Sequence, residues 1–158
     1  LPLELSTIKK NNIKVLYLGE FEKFEPQENY YLATKVSKFE ADPERTQQTF
    51  SKYSSIDDKI DNFHFYTAYI KFGYGRCTEE ASKEIRHKYI TRDEGIKLVN
   101  KFDHEFPKRY FEDFLNYINI TEENFYEIVD SFRPDHLWEK KGNDYKFCSN
   151  WVLKNKIK

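Results

Sequence analysis

The apolar positions of this chain form one short unbroken run near the start and then settle into a helical repeat that occupies most of the rest. Residues 2–10 (PLELSTIKK) predict a short helix. Residues 13–19 (IKVLYLG), β-branched and aromatic and closed by glycine, predict a buried strand. Pro26 suits the first turn of a helix carrying Tyr30, Tyr31, Leu32 and Val36. Residues 37–55 show no sustained period and predict a long ordered loop. From Ile56 the helical period takes over. One helix is predicted over 57–72, and a second, capped by Thr78, runs to about residue 89. A third is opened by the capping-box pair Thr91 and Glu94 and carries Ile96, Val99 and Phe102 on one stripe. Pro107 starts a fourth, with Phe111, Phe114, Leu115 and Ile118 at i, i+3, i+4, i+7 spacing. Thr121 caps a fifth, in which Phe125, Ile128, Val129 and Phe132 repeat that spacing. Residues 138–147 (WEKKGNDYKF) place a Gly-Asn-Asp turn between two short mixed runs and predict a small hairpin, followed by a solvated lysine-rich tail.

The fold class read from this pattern is mainly α (α+β), in one compact unit of three stretches: 1–55, 56–135 and 136–158. Plotted at about 100° per residue, Asp57, Asp61, His64, Ala68 and Lys71 fall within a sector of roughly 80°, while aromatic and aliphatic residues cover most of the remaining circumference. That polar stripe either meets solvent or lines a cleft in which Ala68 leaves room between His64 and Lys71. Gly73 is placed to end this helix in a left-handed conformation, and Gly75 frees the backbone beside Arg76. A helix starting just beyond, with Lys71 and Arg76 nearby, would offer an anion pocket, although Glu79 and Glu80 in its first turn oppose one. Arg45, in the long loop, is either a bidentate clamp for phosphate or carboxylate or a surface residue. Asp103, His104 and Glu105 read as a solvated cluster at a helix end.

Composition narrows the classes. Lys plus Arg is 26 and Asp plus Glu is 27, a net charge of -1, so nothing global favours a nucleic acid or an anionic membrane. Charge is uneven: residues 111–135 hold seven acids and one base, which makes the later helices negative. Aromatics are 18% of the chain, so planar side chains must build much of the core, and any left over could stack on a ligand. Cys77 and Cys148 have no CxxC or His context, which fits reduced thiols in a cytoplasmic protein and predicts no metal site. No apolar run reaches membrane-spanning length. The chain begins at Leu1 and contains no Met, the expectation for a piece of a longer protein.

The phrases LYLGEF, SSIDDKIDNFHFYTAYIKFGYGR, ITRDEGIKLVNKFDHEFPKRYF and FRPDHLWEK, in this order over residues 15–139, resemble the C-terminal half of the N-acetyl sugar amidotransferases. That family includes the pseudaminic acid biosynthesis proteins of bacterial flagellin and lipopolysaccharide glycan pathways, and its members resemble PP-loop ATP pyrophosphatases. The resemblance implies that ATP, with Mg, adenylates the oxygen of an N-acetyl group on a nonulosonic or related sugar. Pyrophosphate leaves, and ammonia from a glutaminase partner displaces AMP to give an acetamidino sugar. It implies the helical C-terminal part of an α/β enzyme, the N-terminal helix and strand being the end of its α/β layer, with a homo-oligomer as a further expectation. The Ser-Gly-Gly-x-Asp-Ser nucleotide loop of the family is not in this chain, so the chain alone is expected to be inactive. Lys71, Gly73, Gly75 and Arg76 match the family's IKFG.GR phrase and are the expected phosphate-binding set, with Lys71 and Arg76 catalytic. Asp57 stands in the family's IDDK phrase. It joins Asp61 and His64 as groups expected either to contact the sugar or to order the basic residues, with Arg45 as a further expected sugar contact. The alternative is a non-catalytic module whose acidic helices, over 107–132, dock the glutaminase or a second subunit.

Overall fold

A computed structural model describes residues 3–141 and 151–154, and these are mainly helical. The helices are α1 Leu5–Lys10, α2 Pro26–Ser37, α3 Asp61–Phe72, α4 Arg76–Arg86, α5 Arg92–Phe102, α6 Phe111–Ile118 and α7 Glu122–Ser131. Two short strands, β1 Trp138–Lys140 and β2 Trp151–Leu153, complete the described elements. Contacts divide the chain at Lys38 into two compact units, residues 1–38 and 39–158. The long loop thus belongs with the helices that follow it.

In the first unit α1 and α2 form where expected, α2 with Pro26 in its first turn and Lys38 ending it in the left-handed conformation at φ 58°. The strand expected over 13–19 does not form: residues 13–17 have no regular structure and Leu18–Glu20 make a 3-10 turn. A strand needs a neighbour for its backbone N–H and C=O groups, and no described segment supplies one. Val15, Leu16, Tyr17 and Leu18 are accordingly exposed.

The second unit is built around α3. The expected start at residue 57 moves to Asp61, because the Asp58 carboxylate accepts the Ile60 amide hydrogen at 2.7 Å in a local turn that competes with helix, and Ser55 sits at φ 52°. Phe63, Tyr66 and Ile70 then face inward, joined by Phe125 and Val129 of α7 and Trp138 of β1 to form the buried core. The Phe63 ring lies parallel to Phe114 at 4.1 Å and edge-on to Phe125 at 6.4 Å, so part of the aromatic surplus of the composition packs here. The Trp138 indole N–H donates to the Ile70 carbonyl at 2.6 Å, fixing the strand pair against α3.

Gly73, at φ 80°, ends α3 as expected, its N–H donating to the Tyr69 carbonyl at 2.8 Å. Helix α4 begins at Arg76, two residues before the expected cap, because a residue from another helix caps it (below). It ends at Arg86 rather than near residue 89. The Thr91 and Glu94 capping box is formed as expected, and α5 packs its Gly95 against Ala81 and Ile85 of α4, where a Cβ would lie 2.7 Å from Ile85 Cδ1. Helix α6 starts at Phe111 rather than Pro107, and Thr121 caps α7 through the Asn124 N–H. The stripe on α7 is half buried: Phe125 and Val129 face inward, Ile128 and Phe132 outward. β1 and β2 pair antiparallel, Trp138 opposite Leu153 and Lys140 opposite Trp151. The returning strand therefore lies later than the expected 138–147 hairpin, whose Gly-Asn-Asp turn falls outside the described residues, as does the lysine-rich tail from 155 onward.

Candidate functional site

The elbow between α3 and α4 gathers most of the expected residues. Arg76, the first residue of α4, is buried. Its Nη2 donates to Asp61 Oδ2 and to Ser55 Oγ, both at 2.5 Å. Ser55 in turn donates to the same Asp61 oxygen. The Phe65 ring covers the guanidinium, with Cζ 4.1 Å from its centroid, and Nε and Nη1 have no hydrogen-bond partner among the described residues. Arg76 therefore spans from α4 to the first turn of α3 and to the end of the long loop. Of the two roles open to Asp61, the fold shows the ordering of a basic group: it forms an ion pair with Arg76, with Asp61 about a third exposed and Arg76 nearly inaccessible.

The amides expected to cradle an anion are already engaged by a carboxylate. Asp103, the C-cap of α5, accepts from Gly75 N–H at 2.8 Å, Thr78 N–H at 3.0 Å and Thr78 Oγ1 at 2.6 Å. It is buried, not part of a solvated helix-end cluster. A negative side chain at a helix N-terminus complements the helix dipole, which removes the electrostatic case for a phosphate between Gly75 and Thr78. Thr78 accordingly lies inside the first turn as a donor to Asp103. A Cβ at Gly75 would meet Asp103 Oδ1 at 3.1 Å and the Tyr69 Cβ at 3.3 Å, so this residue is required by close approach. Burial, with Asp103 nearby as the second cause, pushes the Cys77 thiol and the Tyr69 hydroxyl up to about 12, leaving both protonated at neutral pH.

Arg45 is likewise engaged. It forms a bidentate pair with Glu105, Nη1 to Oε2 at 2.8 Å and Nη2 to Oε1 at 2.7 Å, and stacks 4.4 Å over Phe102. Burial works to raise the Glu105 pKa, but the Arg45 pair and the Gln48 N–H hold it below the ordinary value. Thr49 and Ser54 donate to Glu80 at 2.5 Å and 2.7 Å, so one of the two glutamates expected to repel an anion instead binds the loop. Asp103, Glu105, Glu80 and Ser55 were missed as structural partners. Asp103, Glu105 and Glu80 lie 25 or more residues from the groups they bind, and Ser55 lies six from Asp61 but 21 from Arg76; no local period marks any of them.

What remains exposed is Asp57, His64 and Lys71. On α3 the expected polar stripe does reach solvent through His64 and Lys71, with half-buried Ala68 between them. No carboxylate among the described residues pairs with Lys71. Beyond it, the Phe72 and Tyr74 rings stack at 6.1 Å and 29°, both more than half exposed. Among the described residues no group of three or more His, Cys, Asp or Glu could hold a metal ion, and no helix is long and apolar enough to cross a membrane.

Fold and site together define a mainly helical protein whose second unit carries an ordered polar elbow, with the exposed Lys71 and an aromatic pair on its outer side. The chain belongs to the family described as LPS biosynthesis protein WbpG-like, C-terminal domain, whose model matches residues 19–156. It is also 36% identical over 81 residues to PPi-type phosphoenolpyruvate carboxykinase 3 of Entamoeba histolytica, a stretch covering 45% of this chain. The chain spans 7% of that enzyme's length, a segment too small to carry its activity over.

Proposed function

We propose that this chain is the sugar-side domain of an ATP-dependent amidotransferase that converts an N-acetyl group to acetamidino in lipopolysaccharide biosynthesis. The observation that carries the reading is the family match over nearly the whole chain, joined to an elbow whose IKFG.GR phrase is ordered on both sides by named contacts. Within that elbow the roles divide. Lys71 is the cation that can meet a reactant, by charge and exposure. Arg76 is a positioning residue that holds Asp61 and Ser55. Gly73 and Gly75 shape the backbone and do not bind phosphate, since Asp103 already fills the N-terminus of α4. The ATP phosphates and Mg are therefore assigned to a nucleotide loop elsewhere in the full protein, and no step through them is built on these residues. Asp57 and His64 are solvent-facing neighbours open to a sugar's hydroxyl groups; Arg45 is a brace for the loop rather than a sugar clamp. A cytoplasmic location follows from the use of ATP in this reading.

The test is direct. The full-length protein, given ATP, an N-acetyl sugar and ammonia or glutamine with its glutaminase, should release AMP and pyrophosphate only when the sugar is present. Mass spectrometry should show the acetyl oxygen replaced by nitrogen. AMP release without sugar, or a product that retains that oxygen, defeats the reading.

A second reading is supported by one feature. Helices α6 and α7 keep Tyr117, Ile128 and Phe132 exposed among acids, a surface suited to a basic partner such as a glutaminase subunit. Pull-down of the glutaminase that is abolished by Ile128→Asp, with amidination from free ammonia intact, would support it.

A further inference from the structure

The pair of rings beyond Lys71 is exposed but not loose. The backbone on either side of Phe72 and Tyr74 is tied down: Gly73 N–H to the Tyr69 carbonyl at 2.8 Å, Gly75 N–H to Asp103 at 2.8 Å, and the Ile70 carbonyl to the Trp138 indole at 2.6 Å. From the other side Leu137 and Leu153 lie 3.5 Å from the position a Gly73 Cβ would take. Two aromatic rings thus lie 6.1 Å apart, 52% and 54% exposed, on a hydrogen-bonded stretch of backbone. Exposed aromatics on a fixed backbone present a binding face at little entropic cost. The Lys71 ammonium lies over the Phe72 ring, 5.4 Å from its centroid, so the cation borders the ring pair from the Phe72 side.

We propose that Phe72 and Tyr74 form the platform on which a sugar ring of the substrate lies, with Lys71 donating a hydrogen bond to an oxygen at the edge of that ring. A pyranose has an apolar C–H face and a rim of hydroxyl and acyl oxygens, which matches an aromatic surface bordered by a three-donor cation. A purely apolar protein surface would match less well, because covering this patch would desolvate Lys71 without a partner. The proposal rests on the sugar-side reading above and specifies the residues that touch the ring; none of the three contributes to the buried core.

The test uses the full-length protein and saturation-transfer NMR with N-acetylglucosamine, N-acetylgalactosamine and N-acetylmannosamine as probes. Wild type should show transfer to at least one of them. Phe72→Ala/Tyr74→Ala should weaken binding about tenfold or more. Lys71→Gln should weaken it less and shift which ring protons are saturated. Unchanged melting temperatures should accompany both variants. Equal binding by the double variant, or transfer to none of the probes in wild type, overturns the proposal. Sugar-dependent AMP release separates the two readings. If amidination continues with unchanged KM for sugar in the double variant, the platform falls and the amidotransferase stands. If ring binding depends on Phe72 and Tyr74 but no sugar triggers AMP release, the platform stands and the reaction falls.

Discussion

Asp61 Oδ2 lies 2.5 Å from Arg76 Nη2, an ion pair that joins the first turn of α3 to the first residue of α4 across the glycine elbow. Its arginine is 3% exposed and leaves two nitrogens without partners, so the carboxylate is what makes that buried charge tolerable. Asp61→Ala should destabilise the protein by about 3 kcal/mol, read from urea unfolding. Asp61→Ala/Arg76→Met, which removes the stranded charge as well, should recover a substantial part. A double variant no more stable than Asp61→Ala would show that the pair does not act as one unit.

Asp103 closes the N-terminus of α4 with three hydrogen bonds. Asp103→Ala should cost about 2–3 kcal/mol by combining a lost cap with unsatisfied buried donors. Hydrogen exchange should report faster exchange at Gly75 and Thr78 first. Uniform loss of protection across all helices would argue against a local cap.

The Arg45–Glu105 pair gives a pH dependence whose sign is fixed by the lowered Glu105 pKa. A carboxylate with a depressed folded value contributes stability above its unfolded value, near 4.5, and loses it as pH falls through the folded one. Glu105→Gln should flatten the stability profile below about pH 4.5 and cost about 1–2 kcal/mol at pH 7. Chemical denaturation across that range measures both.

Lys71→Ala should leave the melting temperature within about 1–2 °C of wild type, because the residue is exposed and forms no ion pair among the described residues. Sugar-dependent AMP release in the full-length protein should fall at least about tenfold. Equal loss of activity and stability would remove Lys71 from the site.

Cys77, buried and with its pKa raised to about 12, should resist iodoacetamide in the native protein at pH 8 and react only on unfolding. Rapid native labelling would show that the α4 N-terminus opens readily.

The local rules in the sequence were sufficient wherever one short segment carries its own answer. Pro26, Gly73, the Thr91 and Glu94 box and the Thr121 cap each depend on neighbours within four residues, and each is where the pattern places it. The phrase IKFGYGR likewise marked the elbow without any structure. Residues 13–19 failed because a strand is not a local object; its apolar run implies a partner strand that the described residues do not contain. Which polar groups are engaged was also beyond the sequence. Asp103 meets Gly75 over 28 residues, Arg45 meets Glu105 over 60, and Arg76 meets Asp61 over 15, distances at which charge and period say nothing. The sequence by itself determined the helices, the glycine elbow and the family. Tertiary structure alone decided that the elbow's amides and its arginine are already paired, leaving Lys71 and two stacked rings facing solvent, because long-range pairing is settled by packing and not by spacing along the chain.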